Sequence, residues 1–299
     1  MIIDAHVHLW NRMMLPNEAV KNYLEPLKNM DEELRKFFDF GLDNDIAFDD
    51  FSISAEELLK EMSMSGVDKA VILSTDFELL NDSELGNEEY TEMLFQECSV
   101  FDELIPFISV DPNRGEEGLR MVERMVKKYA PSGIKMYPAT GFYPDKECYA
   151  DYWDLIDDLG LVVLTHAGMA LPPLDEKYCR PCFFRDVADS RPDLKVIIAH
   201  LGGKFYDELL PLMRDCSNVY TDCSALQGWL PSQPDMVHSR LSEVCGEFPD
   251  RVVFGSDFPN YEIRFSTLQF INLIRSGDWA DDKVKKKLLG SNMARILGL

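Results

Sequence analysis

Residues 2–10 read Ile2-Ile3-Asp4-Ala5-His6-Val7-His8-Leu9-Trp10, "IIDAHVHLW". A short β-branched, apolar run of this kind predicts a strand, and side chains along a strand alternate between its two faces. His6 and His8 therefore share a face. The chain has five histidines, so two of them one residue apart raise the question of where the other three fall.

Runs of the same character recur at Ile2–His6, Lys69–Ser74, Ile105–Val110, Gly133–Tyr137, Leu161–His166, Lys195–His200, Asn218–Asp222 and Val252–Asp257. Between them lie "AEELLKEMSMSG", "EEGLRMVERMVKKYA", "CYADYWDLIDDLG", "FFRDVADSR", "YDELLPLMRD" and "DMVHSRLSEVCGEF", whose apolar residues step by three and four as on a helix face. Strands alternating with helices predict a parallel sheet, and continuous apolar runs such as "AVIL" and "VVLT" predict strands buried on both sides. Eight such units in 299 residues are the size of a single (β/α)8 TIM barrel spanning residues 1–299. The rival, an open doubly wound sheet, wants a glycine-rich turn after its first strand, where this chain has "HVHLWN". The stretch "DDKVKKKLLGSNMARILGL" reads as one or two closing helices. Residues 11–51, long and acidic, form an insertion after the first strand; a lid over the barrel mouth is the expectation, a surface excursion the alternative.

Composition narrows the function. With 46% hydrophobic residues and 30 basic against 53 acidic side chains, the net charge is −23. Such a surface repels phosphate backbones and anionic lipid headgroups, so no nucleic-acid or membrane partner is expected. A small-molecule substrate is. Strand-like sequence from Ile2 leaves no room for a leader, and seven scattered cysteines suggest reduced thiols, so the expected location is cytoplasmic. Cys179-Arg-Pro-Cys182 is a CxxC without a second partner pair, best read as chance spacing rather than a redox or zinc motif.

The remaining histidines answer the opening question. His166 ends the fifth run and His200 the sixth, while Asp257 ends the eighth, in "VVFGSDFP". His238 falls inside a helical pattern and reads as ordinary surface. In a barrel the C-terminal strand ends open onto one rim, where such enzymes keep their active sites. Any one imidazole there is unremarkable, since a rim histidine bonded to backbone is common. Four of them with a carboxylate form a costly set of buried polar groups unless they share a partner, and a divalent cation is such a partner.

Through "IIDAHVHLW", "GIKMYP", "VVLTHAG", "DLKVIIAHLGG", "VVFGSDFP" and "SNMARILGL", the whole chain resembles the amidohydrolase superfamily. More narrowly it resembles the amidohydrolase-related branch that includes the aminocarboxymuconate semialdehyde decarboxylases. The resemblance implies that His6, His8, His166 and Asp257 bind one divalent metal, zinc first with Mn²⁺ or Fe²⁺ as alternatives, and that His200 is a general base or a polariser of the substrate. It also implies a homodimer. The TatD-like nucleases share the HxH start but carry a glutamate at the end of strand four, where this chain has Lys135.

Lys135 has three readings: a cation meeting a substrate carboxylate, a carboxylated bridge between two metals, or a structurally paired lysine. The first is preferred, because lysine serves as a point charge for anions. Further substrate-binding candidates are Trp10, Tyr137 and Arg180, with Arg12, Arg185, Trp229 and Asn260 also near the expected rim. For each of these, packing is the plain alternative. The expected reaction is metal-dependent hydrolysis, a metal-activated water attacking a carbonyl of a carboxylate-bearing amide, lactone or ester, with Asp257 and His200 moving protons. The alternatives are non-oxidative decarboxylation of an unsaturated or aromatic acid, and a barrel that binds metal or ligand without catalysis. Metal analysis tests the one-ion expectation: close to one equivalent per chain is expected, whereas two equivalents with a carbamate on Lys135 select the bridged pair.

Overall fold

In the computed structural model, placement is described for residues 1–18, 20–22, 52–80, 83–170, 172–262 and 265–299. The insertion proposed as a lid lies for its greater part, residues 23–51, outside the described residues. The strands are β1 (Ile3–Val7), β2 (Lys69–Leu73), β3 (Leu104–Ser109), β4 (Gly133–Met136), β5 (Val162–Thr165), β6 (Val196–Ile198), β7 (Val219–Asp222) and β8 (Val252–Val253). They form one eight-stranded parallel sheet in chain order, β1 to β8, the strand order of a (β/α)8 barrel. Helices fill the intervals: α1 (Ala55–Ser65), α2 (Asn87–Cys98), α3 (Glu116–Tyr129), α4 (Ala150–Asp158), α5 (Arg185–Asp189), α6 (Tyr206–Asp215) and α7 (Pro234–Glu247). After β8 come α8 (Thr267–Ser276), α9 (Asp282–Lys286) and α10 (Asn292–Leu297). Among the described residues no helix is long and apolar enough to cross a membrane.

The chain groups into two compact units. The first comprises Met1–Arg12, Val20–Ile72 and Asp222–Leu299. Within it β1 pairs with β2, Ile3 opposite Lys69, and meets the chain just beyond β8 through a parallel bridge from Val7 to Phe258. Ala5 N–H donates to the Phe254 carbonyl, Asp257 N–H to that of His6 and His8 N–H to that of Phe258. The strand that carries both histidines is thus interleaved, residue by residue, with the segment that carries Asp257. Ser54 and Glu57 start α1 as a reciprocal capping box, and Gly66 ends it at φ 76°, a conformation that suits glycine.

The second unit comprises Met13–Ala19 and Leu73–Thr221. Here β4, β5 and β6 run in register, Lys135 opposite Leu164 and Leu164 opposite Ile197. Ile134, Val163, Leu164 and the β6 residues Val196–Ile198 are wholly buried, as both-face burial demands. Helix α2 departs from the amphipathic pattern. Its inward face carries Asn87 and Thr91, because Asn87 Nδ2 donates to the Ser109 carbonyl at 2.8 Å and Asn87 Oδ1 accepts from the Ser109 hydroxyl at 2.9 Å. Polar groups there satisfy strand ends instead of filling an apolar seam, which is why periodicity alone passes over this helix.

One ionisable pair in the first unit sets a pH dependence. Glu262 is buried beside α8 and accepts from both the amide and the hydroxyl of Thr267. Burial, followed by the charge of Glu61, pushes its carboxyl from 4.5 to about 8, and burial pushes that of Glu61 on α1 to about 7. The folded chain therefore keeps protons that the unfolded chain releases, and stability falls as pH rises from about 4.5 through 8. Glu262→Gln is expected to flatten this slope and to raise the melting temperature at pH 8 by about 2 °C or more, with little change near pH 5. Parallel pH–melting curves for the two proteins would remove the pair from this role.

Candidate metal centre

In the first unit, His6 lies within β1 and His8 directly beyond it, and both are buried. Asp222 is the last residue of β7, wholly buried, and His6 Nδ1 donates to its Oδ2 at 2.8 Å. A carboxylate only accepts, so this bond places a proton on Nδ1, and in the neutral imidazole the lone pair then lies on His6 Nε2. That lone pair faces Asp257 Oδ1 at 3.5 Å, and His8 Nε2 lies 3.3 Å from the same oxygen. One ligand atom from each of His6, His8 and Asp257 falls within 4.8 Å of the others, all buried. An imidazole lone pair and a carboxylate oxygen aimed at each other repel unless a cation lies between them. Two nitrogens and an oxygen so arranged match what Zn²⁺ and related divalent ions accept.

The supports are local. Asp222 is itself held by the Ser224 amide at 3.0 Å and by the Ser224 hydroxyl. Trp10 stacks on His8, ring centroids 4.2 Å apart and planes 8° from parallel, and its indole donates to Asn260. Asp4 accepts from the amides of His6 and Ser256, tying β1 to the approach to Asp257; burial pushes its carboxyl up to about 7. Gly255 admits no side chain, since a Cβ there would lie 2.8 Å from that of His6 and 3.0 Å from that of Ser224. Asp257 has φ 56°, the left-handed region that a non-glycine residue adopts only where its surroundings enforce it.

In the second unit, His166 follows β5 and His200 follows β6. His166 Nε2 lies 3.0 Å from the Met169 carbonyl, which only accepts, so the ring carries its proton there and turns a lone pair on Nδ1 outward. His200 Nε2 sits 3.1 Å from that Nδ1 and is therefore the donor. His200 and Leu201 both have positive φ, 60° and 49°. Gly203 then brings its Cα within 3.0 Å of where a Gly168 Cβ would stand, so the loops after β5 and β6 meet backbone to backbone. Tyr137 packs its ring 4.6 Å from His166, and the wholly buried Lys135 places Nζ 5.9 Å from that ring.

Arg180 pairs with Glu208 and Arg185 with Asp215, both half exposed, and His238 is exposed on α7. Cys179 and Cys182 are free thiols that burial pushes up to about 12 and about 11, so they stay protonated and inert. Asp222 is the residue the sequence reading passed over, although it ends a strand just as His166, His200 and Asp257 follow theirs. A carboxylate behind a metal-binding histidine tunes and orients it. Asp222→Ala is expected to weaken divalent-metal affinity by about 10–100-fold while the chain stays folded. Competition with a fluorescent chelator measures this, and an unchanged affinity removes Asp222 from the centre.

The sequence pattern of the amidohydrolase family matches residues 3–299. No curated protein matches the chain in sequence. Among solved structures, an uncharacterized TIM-barrel protein from Bordetella bronchiseptica is similar at TM-score 0.71 and 18% identity, over 99% of this chain and 98% of that one. A probable 2-pyrone-4,6-dicarboxylic acid hydrolase from Acinetobacter baumannii, with citric acid bound, has TM-score 0.65 and 13% identity over 100% and 99% of the two chains. A dihydroxybenzoic acid decarboxylase from Polaromonas with bound manganese and 2-nitroresorcinol has TM-score 0.65 and 15% identity over 100% and 97%. At these identities the likeness speaks for the fold, and the match along nearly the full length carries the classification: the chain belongs to the amidohydrolase family.

Proposed function

We propose that this protein is a divalent-metal-dependent hydrolase of a small carboxylate-bearing lactone, amide or ester. The observation that carries the proposal is the outward lone pair of His6, fixed by Asp222 and aimed with His8 Nε2 at one oxygen of Asp257. His6, His8 and Asp257 would hold the ion, and His166 would add a fourth ligand through Nδ1 on giving up the hydrogen bond that it accepts from His200. A divalent ion held there supplies Lewis acidity and makes a neighbouring water a far stronger acid.

The chain's own groups do the rest. Asp257, strained and close to both imidazoles of β1, accepts the proton of the attacking water as its oxygen joins the carbonyl carbon. His200 carries its proton on Nε2 in this arrangement, which suits it to polarise the substrate carbonyl rather than to abstract a proton. When the C–O or C–N bond breaks, Asp257 returns the proton to the leaving group. Lys135 would meet the substrate carboxylate, with Tyr137 and Trp10 as walls.

Loss of CO₂ from an unsaturated or aromatic acid is the second reading. It is favoured by the fold shared with a manganese-bound decarboxylase and would use the same ligands. Incubation of the zinc- or manganese-loaded protein with lactones, amides, esters and aromatic or unsaturated acids separates the two. A hydrolysis product that vanishes with chelator is expected; CO₂ release without any hydrolytic product selects the second reading, and no turnover on the whole panel sinks both. Asp257→Asn is expected to lower kcat by about 10²–10⁴-fold.

A further inference from the structure

A cavity of about 420 Å³ lies in the second unit, among the loops that follow β4, β5 and β6. Its lining is three cations, Lys177, Arg180 and Lys204, two carboxylates, Asp175 and Glu176, and three aromatic rings, Tyr143, Phe183 and Phe205. It shares no lining residue with the histidines. We propose that this cavity binds a small planar organic anion, an aromatic or conjugated carboxylate, at a site separate from the metal centre.

The size suits such a ligand, since pockets for small molecules start at roughly 300 Å³. The charges are already presented to carboxylates. Lys177 pairs with Asp175 at 2.6 Å, Lys204 with Glu176, and Arg180 lays Nε and Nη2 on one oxygen of Glu208. Each of these cations is about half exposed. Exposed pairs of that kind add little stability, so a ligand carboxylate can take the place of a side-chain carboxylate at small cost. The ring faces supply the second half of the recognition. Arg180 and Lys204 stand 5.7 and 5.1 Å from the Phe205 ring centre, and Phe183 meets Tyr143 perpendicularly at 5.2 Å. A flat ligand ring entering among cations and aromatic edges gains both contacts at once. The walls are preformed, because Gly168 and Gly203 hold the two longer loops in backbone contact immediately before Lys204.

The test is titration calorimetry of isophthalate into the full chain after chelator treatment. Saturable one-to-one binding is expected, at least about threefold weaker for cyclohexane-1,3-dicarboxylate, which keeps the charges and loses the aromatic face. Lys177→Ala/Lys204→Ala is expected to weaken binding about tenfold or more, with Lys177→Gln/Lys204→Gln as a milder pair in case the first melts early. His6→Ala/His8→Ala is expected to bind isophthalate as the unaltered chain does. Absence of saturable binding, indifference to both lysine pairs, equal affinity for the cyclohexane acid, or loss of binding with His6 and His8 would each overturn the proposal. None of these outcomes depends on whether the metal centre hydrolyses anything.

Discussion

The hydrogen bond from His6 Nδ1 to Asp222 is the constraint on which the first unit's chemistry rests. It ties the first β-strand to the seventh through a fully buried pair, and it decides which nitrogen of His6 can face a metal. Without it the imidazole can present either tautomer, and Nε2 can simply donate to Asp257 as an ordinary internal ion pair. With it, the neutral imidazole has its lone pair on Nε2, facing Asp257. Ser224 reinforces the same outcome by spending its amide and hydroxyl on Asp222, so that the carboxylate stays an acceptor. Gly255 then lets the backbone come close enough for the arrangement to close.

A second regularity concerns where backbone strain is kept. Among the described residues, five non-glycine positions have positive φ, and three of them are His200, Leu201 and Asp257. Such conformations cost of order 1–3 kcal/mol each and persist only where neighbours over-determine them. At Asp257 the neighbours are the β1 backbone bonds on either side, to His6 and from His8. At His200 and Leu201 they are the β6 register before and the glycine contact after. Strain located at His200 and at Asp257, one in each unit, trades local ease for fixed side-chain direction.

Much of this was legible in the residue order. Every predicted strand run overlaps an observed strand, because burial on both faces writes a strand as an unbroken β-branched run that no helix would use. His6 and His8 were found by period two alone. The residues missed were missed for one reason: they are polar groups serving other polar groups. Asn87 and Thr91 hide α2 because their partners are strand ends. Asp222 closes a run, "VYTD", that reads as strand with or without a role for its carboxylate. The pairing of Arg180 with Glu208 is a matter of loop packing that spacing does not encode.

The chain's acidity and its buried lysine look contradictory and are not. A net charge of −23 is spread over solvent, where ions screen it within about 10 Å. Lys135 is wholly buried, and there the field comes from the few groups nearby and from whatever is bound. A carboxylate approaching Lys135 would pass an exterior that repels it before reaching a position that attracts it. Such a design disfavours polyanions, whose charges cannot all be taken inside, more strongly than a small acid carrying one or two.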